Sequence, residues 1–392
     1  MRLPVYLDNN ATTRVDERVV QAMLPYFTEK YGNAASRQHE YGWSAEGAVE
    51  AARARIASLI GASPTEIVFT SGATESINLG IKGIAESLEG KGNHVITAVT
   101  EHKAVLDTID NLERHGFRVT RLPVEDDGLV DPRDVEEAIT GQTIIVSIMT
   151  ANNEIGTIAP IAEIGRICRA RGIAFHTDAT QAVGKIPIAV QSMFVDLMSF
   201  SAHKMYGPKG IGALYVRSSR PALRLVPQMD GGGHERGLRS GTLNVPAIVG
   251  FGSAAEIAMR EMTADAEHTG RLRDQLVTML MTELPGITVN GHPSQRLPNN
   301  ASITFGGVDA DRLMMGMKDL ALATGSACSS ATPSPSHVLQ AIGLNHEEVR
   351  GTLRFGVGRF TTVEEVTYAA GRIVETVTKM RVPQNYSKTE KV

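Results

Sequence analysis

Val195-Asp196-Leu197-Met198-Ser199-Phe200-Ser201-Ala202-His203-Lys204-Met205-Tyr206-Gly207-Pro208-Lys209-Gly210 is an apolar run that ends in a lysine and a Gly/Pro turn. Read as a buried strand over 195–201, it places Lys204 just past the carboxyl end of that strand. A solvated surface charge has no need of such a position. Burial lowers an amine's pKa and frees its nucleophilic form, so the placement suits a lysine that bonds covalently to a carbonyl compound. Half of a buried salt bridge is the competing reading for a lysine standing alone.

Working outward, apolar runs over 66–70, 94–99, 143–149, 173–177 and 212–216 alternate with helical patterns over 45–59, 75–88, 103–115 and 160–171. Such alternation predicts an α/β fold with a mostly parallel central sheet and helices on both faces. Sheets of this type gather their chemistry beyond the carboxyl ends of the strands. His102, Asn153, Asp178 and Lys204 each follow a strand in this reading.

The 392 residues exceed the roughly 250–300 that one core accommodates. A helical stretch over 247–283 without an internal breaker reads as a bridge between two domains. Beyond it, 301–305 and 352–357 read as strands and 363–379 as an amphipathic helix. The expectation is a large domain over 13–258 and a smaller α+β domain built from 1–12 and 259–392, with the polar tail after Val382 disordered.

Hydrophobic residues at 42%, charged residues at 21% and a net charge of −4 are ordinary for a globular enzyme and give no basic stripe for nucleic acid. Met1-Arg2-Leu3-Pro4-Val5-Tyr6 is too short and polar for a signal peptide, and no apolar stretch approaches the roughly 20 residues of a bilayer span. The expectation is a cytoplasmic protein with no nucleic-acid or membrane partner. Two cysteines form no disulfide framework, and the 11 histidines lack metal-ligand spacing, so no metal site is expected. Cys168 falls on the apolar face of the 160–171 pattern and reads as a small buried hydrophobe.

The remaining polar motifs each have a bland reading and a chemical one. Thr70-Ser71-Gly72-Ala73-Thr74-Glu75-Ser76 joins a strand to a helix. It is either a simple Ser/Thr cap or an anion cradle in which small residues such as Ala73 expose backbone N–H groups and Thr74 adds a hydroxyl. Asp178 either caps a turn or serves as the acidic partner of a pyridinium nitrogen, with Gln181 donating to the ring's phenolic oxygen. His102, structural if alone, is placed to stack on such a ring and move protons. Asn153 lies in an Asn-Asn turn after a strand. Arg354 interrupts an apolar strand and needs an anion: a substrate carboxylate, or an Asp or Glu. Cys328 sits in Ala323-Thr324-Gly325-Ser326-Ala327-Cys328-Ser329-Ser330-Ala331-Thr332-Pro333-Ser334-Pro335, whose composition predicts an exposed, mobile loop over about 323–336. It is either an incidental surface thiol or a travelling nucleophile. Lys204, Asp178, His102 and Thr74 together make sense around one pyridoxal 5'-phosphate.

Tyr6-Leu7-Asp8-Asn9-Asn10-Ala11-Thr12-Thr13, Thr70 to Ser76, Asn152-Asn153-Glu154, Asp178-Ala179-Thr180-Gln181, Ser201-Ala202-His203-Lys204, Gly233-His234-Glu235-Arg236-Gly237-Leu238-Arg239-Ser240-Gly241-Thr242 and Gly325-Ser326-Ala327-Cys328 resemble, in order, the cysteine desulfurases of the nitrogen-fixation and iron–sulfur-cluster type. The resemblance implies a fold-type I pyridoxal-phosphate homodimer that converts L-cysteine to L-alanine and leaves a persulfide on Cys328. It further implies that Lys204 forms the Schiff base, Asp178 and Gln181 hold the ring, and His102 stacks above it. Ser201, His203, Thr74 and Thr242 of a second subunit would bind phosphate, and Asn153 and Arg354 the substrate carboxylate. The acceptor would be an iron–sulfur scaffold or sulfur-carrier protein, and Cys328 could transiently ligate an iron–sulfur cluster. A selenocysteine lyase or related pyridoxal enzyme, and a non-catalytic assembly partner, are the alternatives. One departure is Gly32-Asn33-Ala34-Ala35, where the family often has a proline after the Gly-Asn.

Overall fold

The computed structural model describes residues 1–219, 222–325 and 335–382. Cys328, most of the loop expected around it and the tail from 383 onward therefore lie outside the described residues.

Seven strands form the main sheet, in the order Ile67–Thr70, Gly212–Val216, Leu197–Ser201, Ala174–Asp178, Thr143–Ser147, His94–Ala98, Arg118–Leu122. Only Gly212–Val216 runs against its neighbours, so the sheet is mostly parallel, as the alternating pattern predicts. Separate apolar clusters cover its two faces. The strand Arg118–Leu122 went unread in the sequence because it is an edge strand rich in arginine, with little burial to impose an apolar run.

A polar ladder crosses the middle of the sheet. Ser147 Oγ meets His176 Nδ1 at 2.8 Å, and His176 Nε2 meets Ser199 Oγ at 2.9 Å. Burial pushes the His176 imidazole down to about 3, so it is neutral and takes one hydrogen bond at each nitrogen. A one-residue slip would break both bonds, so the ladder helps fix the register of the strands that end at Asp178 and Ser201.

The helix Val245–Glu283 is 39 residues long, roughly 58 Å at 1.5 Å per residue. Its first half, from Val245 to Ala258, packs into the main core; Leu272, Leu276 and Leu280 pack into a second core. That second core lies on an antiparallel sheet in the order Ala323–Thr324, Thr352–Gly356, Asn300–Phe305, Ile287–Asn290. The terminal helix Val363–Arg381 covers it with Val366, Ala370, Ile373 and Val377. Cys168 is fully buried on the helix Ile161–Arg171.

The N-terminal segment joins the two bodies of structure. Val5–Tyr6 pairs in parallel with Leu320–Ala321, and Asp8 bridges to Gly356. The segment then crosses to the main sheet, where Thr13 N–H and Oγ1 both donate to His203 O, at 3.0 and 2.9 Å.

Gly356 permits this crossing. A Cβ there would lie 2.7 Å from the backbone nitrogens of Asn9 and of Asn10, closer than side chains tolerate. Gly356→Ala is therefore expected to lower stability by about 1–3 kcal/mol through overpacking against backbone. Urea denaturation checks it, and an unchanged midpoint would contradict the tight approach.

Candidate active site

A cavity of about 540 Å³ opens at the carboxyl ends of the parallel strands. Ala73, Thr74, His102, Asn153, Asp178, Gln181, Ser201, His203, Lys204 and Arg354 all line it. Residues read from separate stretches of sequence thus meet in one place. Thr242 does not line the cavity; it is exposed, at the end of the glycine-rich loop.

Lys204 ends a short 3-10 turn, Ala202–Lys204, that continues the strand Leu197–Ser201. It stands one turn beyond the strand and is half-buried, not sunk in the core. Its Nζ donates to Asn10 O and Ala11 O, each at 2.6 Å. Thr13 Oγ1 accepts from Tyr206 N–H at 2.8 Å, which fastens the same segment on the far side of the lysine. Tyr206 has φ +63, an unfavourable left-handed backbone for a bulky residue, and its hydroxyl accepts from Arg359 N–H at 2.7 Å. Packing therefore enforces the sharp reversal after Lys204.

Asp178 closes the neighbouring strand, with Oδ1 accepting from Thr180 N–H at 2.9 Å. It caps a turn, as its bland reading has it, while lining the cavity. Gln181 is held at both ends of its amide: Nε2 donates to Asn10 O at 2.9 Å and Oε1 accepts from Lys185 Nζ at 2.9 Å. His102 is the N-cap of the helix Lys103–Arg114, its Nδ1 accepting from Ala104 N–H at 3.1 Å. In the neutral ring that places the proton on Nε2. Behind Asp178, Glu101 is fully buried, and burial first, then the Asp178 charge, pushes its carboxyl well above the usual range.

The opposite end of the cavity suits an anion. The helix Ala73–Ser87 begins after Gly72, and no side chain caps it, which removes the simple Ser/Thr-cap reading. Its first-turn N–H groups and macrodipole attract negative charge. Glu75, in that turn, is neutralised by Arg239 Nε at 2.7 Å and accepts from Ser71 N–H at 2.7 Å. A Cβ at Gly212 would sit 2.6 Å from the backbone carbon of Gly72, so glycine lets the opposing strand reach this turn. Ser201 Oγ donates to Ile211 O at 3.3 Å, and His203 Nδ1 meets Thr12 Oγ1 at 3.1 Å. Burial, helped by the Lys204 charge, pushes His203 down to about 4, so it is a neutral donor near pH 7.

Arg354, on the strand Thr352–Gly356, is almost wholly buried. Its Nη2 pairs with Asp8 at 2.9 Å and its Nη1 donates to Asn153 O at 3.2 Å. The salt-bridge reading of this arginine is therefore the observed one, with Asp8 as the partner that sequence left unassigned. Arg354 Nε nevertheless has no hydrogen-bond partner among the described residues, nor have Thr180 Oγ1 and both amide atoms of Asn10. Each unmet buried polar group costs about 1–3 kcal/mol, so three such residues lining one cavity mark a place for a polar ligand. Pyridoxal phosphate fits this set: Asp178 for a ring nitrogen, the helix N-terminus for phosphate and the Lys204 amine for the carbonyl carbon.

Asn10, Asp8, Lys185 and Glu154 escaped the residue-level reading. Asn10 works partly through its carbonyl, which side-chain chemistry cannot signal; Lys185 was detectable only as a lysine four residues after Gln181. Glu154 is buried, accepts from Ser336 Oγ at 2.5 Å, and lies against Gly325. It therefore touches both margins of the stretch that carries Cys328.

Residues 5–368 match the family model described as aminotransferase class-V. The chain is 56% identical to a cysteine desulfurase IscS of Anaeromyxobacter dehalogenans (strain 2CP-C) over 97% of this chain and 94% of that protein. It is 51% identical to a cysteine desulfurase IscS of Rickettsia rickettsii (strain Iowa), over 97% and 93%. Among solved structures, a NifS-like protein superposes with a TM-score of 0.90 at 41% identity, covering 97% of this chain and all of that one. A structure described as SspA in complex with cysteine gives 0.80 at 38% identity, over 91% and 99%.

Burial pushes the Glu154 carboxyl up to about 7. A raised acid binds its proton more tightly in the folded state, so its stabilisation is full below the unfolded value near 4.5 and is lost as pH rises through about 7. Relative to Glu154→Gln, which stays neutral, the wild type should lose up to about 3 kcal/mol of stability between these limits. Parallel unfolding curves at several pH values check this, and a constant difference would refute the shift.

Proposed function

The chain belongs to the class-V aminotransferase family, and from that premise we propose that it is a pyridoxal-phosphate-dependent cysteine desulfurase converting L-cysteine to L-alanine. One observation carries the reading: a lysine amine, a strand-end carboxylate and an uncapped helix N-terminus share one cavity with unmet buried polar groups. In this reading Lys204 holds the cofactor through its amine, Asp178 faces the ring nitrogen, Gln181 the ring oxygen and His102 the ring face. Ala73, Thr74, Ser201 and His203 take the phosphate. When bound, the cofactor supplies an electron-poor ring that stabilises negative charge at the substrate's α-carbon and its neighbour.

The protein's own residues do the rest. The Arg354 guanidinium and the Asn153 side chain, both on the cavity wall, would receive the substrate carboxylate. Lys204 Nζ and His102 Nε2, both on the cavity wall, would move protons at the substrate carbons. The Cys328 thiolate attacks the substrate sulfur; the new S–S bond forms as the C–S bond breaks, its electron pair stays with carbon, and that carbon takes up a proton to give alanine. The persulfide on Cys328 is the sulfur donor to an acceptor protein, an iron–sulfur scaffold or sulfur carrier. The reading includes a cytoplasmic homodimer in which Thr242 completes the partner's phosphate site. The loop that carries Thr242 is tied to the main sheet, where Glu235 accepts from both Arg53 Nη atoms at 2.8 Å and from Phe69 N–H at 2.7 Å.

Anaerobic incubation with L-cysteine, followed by peptide mass analysis, should find one added sulfur on the Cys328 peptide. Cys328→Ala should abolish sulfur release while keeping the bound cofactor's visible absorbance. Full turnover by that variant would end the assignment.

A further inference from the structure

Lys185 is a buried amine outside the cavity lining, and the chemistry above does not use it. Burial first, then the Lys204 and Arg354 charges, pushes this amine down to about 7, so its burial costs stability and an apolar residue of similar volume is usually cheaper. Its hydrogen bond shows what the amine does. Lys185 Nζ donates to Gln181 Oε1 at 2.9 Å, and Gln181 Nε2 donates to Asn10 O at 2.9 Å.

These two contacts leave no ambiguity in the amide. The backbone carbonyl of Asn10 only accepts, so the group facing it is the Gln181 NH₂, and Oε1 is left to the Lys185 amine, which can donate in either protonation state. The NH₂ group thus faces Asn10 and uses one N–H there. Its second N–H remains for the cavity, which Gln181 lines and Lys185 does not. Without the amine, Gln181 would keep one tether, and its terminal torsion is intrinsically broad.

We propose that Lys185 is a positioning residue that fixes the Gln181 amide so that one N–H is presented to the ring oxygen of the bound cofactor. This rests on the reading of Gln181 as a ligand of that oxygen, and it extends the site one layer outward. The Lys185–Gln181–Asn10 chain also ends on the carbonyl that accepts from Lys204 Nζ, so the amine that holds the cofactor and the amide that tunes it share one acceptor.

A hydrogen bond donated to a negatively charged ring oxygen favours the deprotonated form, so losing it raises the pH midpoint at which the bound cofactor gives up its proton. The test titrates the visible absorbance of cofactor-loaded wild type, Lys185→Met, Gln181→Leu and the double variant against pH. The proposal expects K185M to raise the midpoint by about one unit, Q181L to raise it by at least as much, and K185M to add nothing in the Q181L background. A wild-type midpoint in K185M beside a shifted Q181L overturns the proposal and spares the reading of Gln181. An unshifted Q181L removes that reading, and the proposal with it. A K185M shift that persists undiminished in the double variant shows a direct charge effect and also overturns it. Circular dichroism accompanies the titration: K185M that fails to fold would show a structural role and count against positioning.

Discussion

The site depends on the backbone carbonyls of Asn10 and Ala11 lying 2.6 Å from the Lys204 amine. The lysine belongs to the main sheet, whereas the segment that meets it is paired with Leu320–Ala321 and bridged to Gly356 of the second sheet. The cavity therefore exists only where the two bodies of structure are joined. Thr13, Tyr206 and Arg359 reinforce that joint through hydrogen bonds on either side of the lysine. Arg354 closes the site from the second sheet through Asp8 and Asn153. A site assembled from both bodies can place a cofactor on one and the substrate's carboxylate on the other.

Electrostatics follow from the same arrangement. The acids around the cavity are largely answered for: Glu75 by Arg239, Asp8 by Arg354. Lys204 and Lys209 line the wall, and with Lys185 behind it they help push His203 down. Such a cavity favours an anionic ligand, and the uncapped helix at Ala73 gives that charge a direction. Two strands of the main sheet separate the strand ending at Asp178 from the one that leads into this helix, so a ligand with a phosphate at one end and a basic ring nitrogen at the other matches both.

Much of this was legible in the sequence because burial writes itself into apolar runs. The strands behind Asp178 and Lys204 and the 39-residue bridging helix were read within a few residues of their observed ends. Arg118–Leu122 was not, since an edge strand tolerates charge. Side chains with distinctive chemistry were also legible, and Lys204, Asp178, Gln181 and His102 meet as their motifs imply. What sequence hid were contacts made by backbone atoms and by the second layer. Asn10 offers a carbonyl, Asp8 answers an arginine hundreds of residues away, and Lys185 acts through Gln181. Arg354 shows the limit of reasoning from residue type alone: its need for an anion was clear, its partner was not.

The central claim is that the amine tethered by Asn10 and Ala11 is the one that carries the cofactor. Borohydride reduction of the cofactor-loaded protein, followed by proteolysis and mass spectrometry, tests it by converting that linkage into a stable tag. The account predicts a pyridoxyl label on Lys204 and none in a Lys204→Ala protein; a label on Lys185 or Lys209, or none in the wild type, would contradict it.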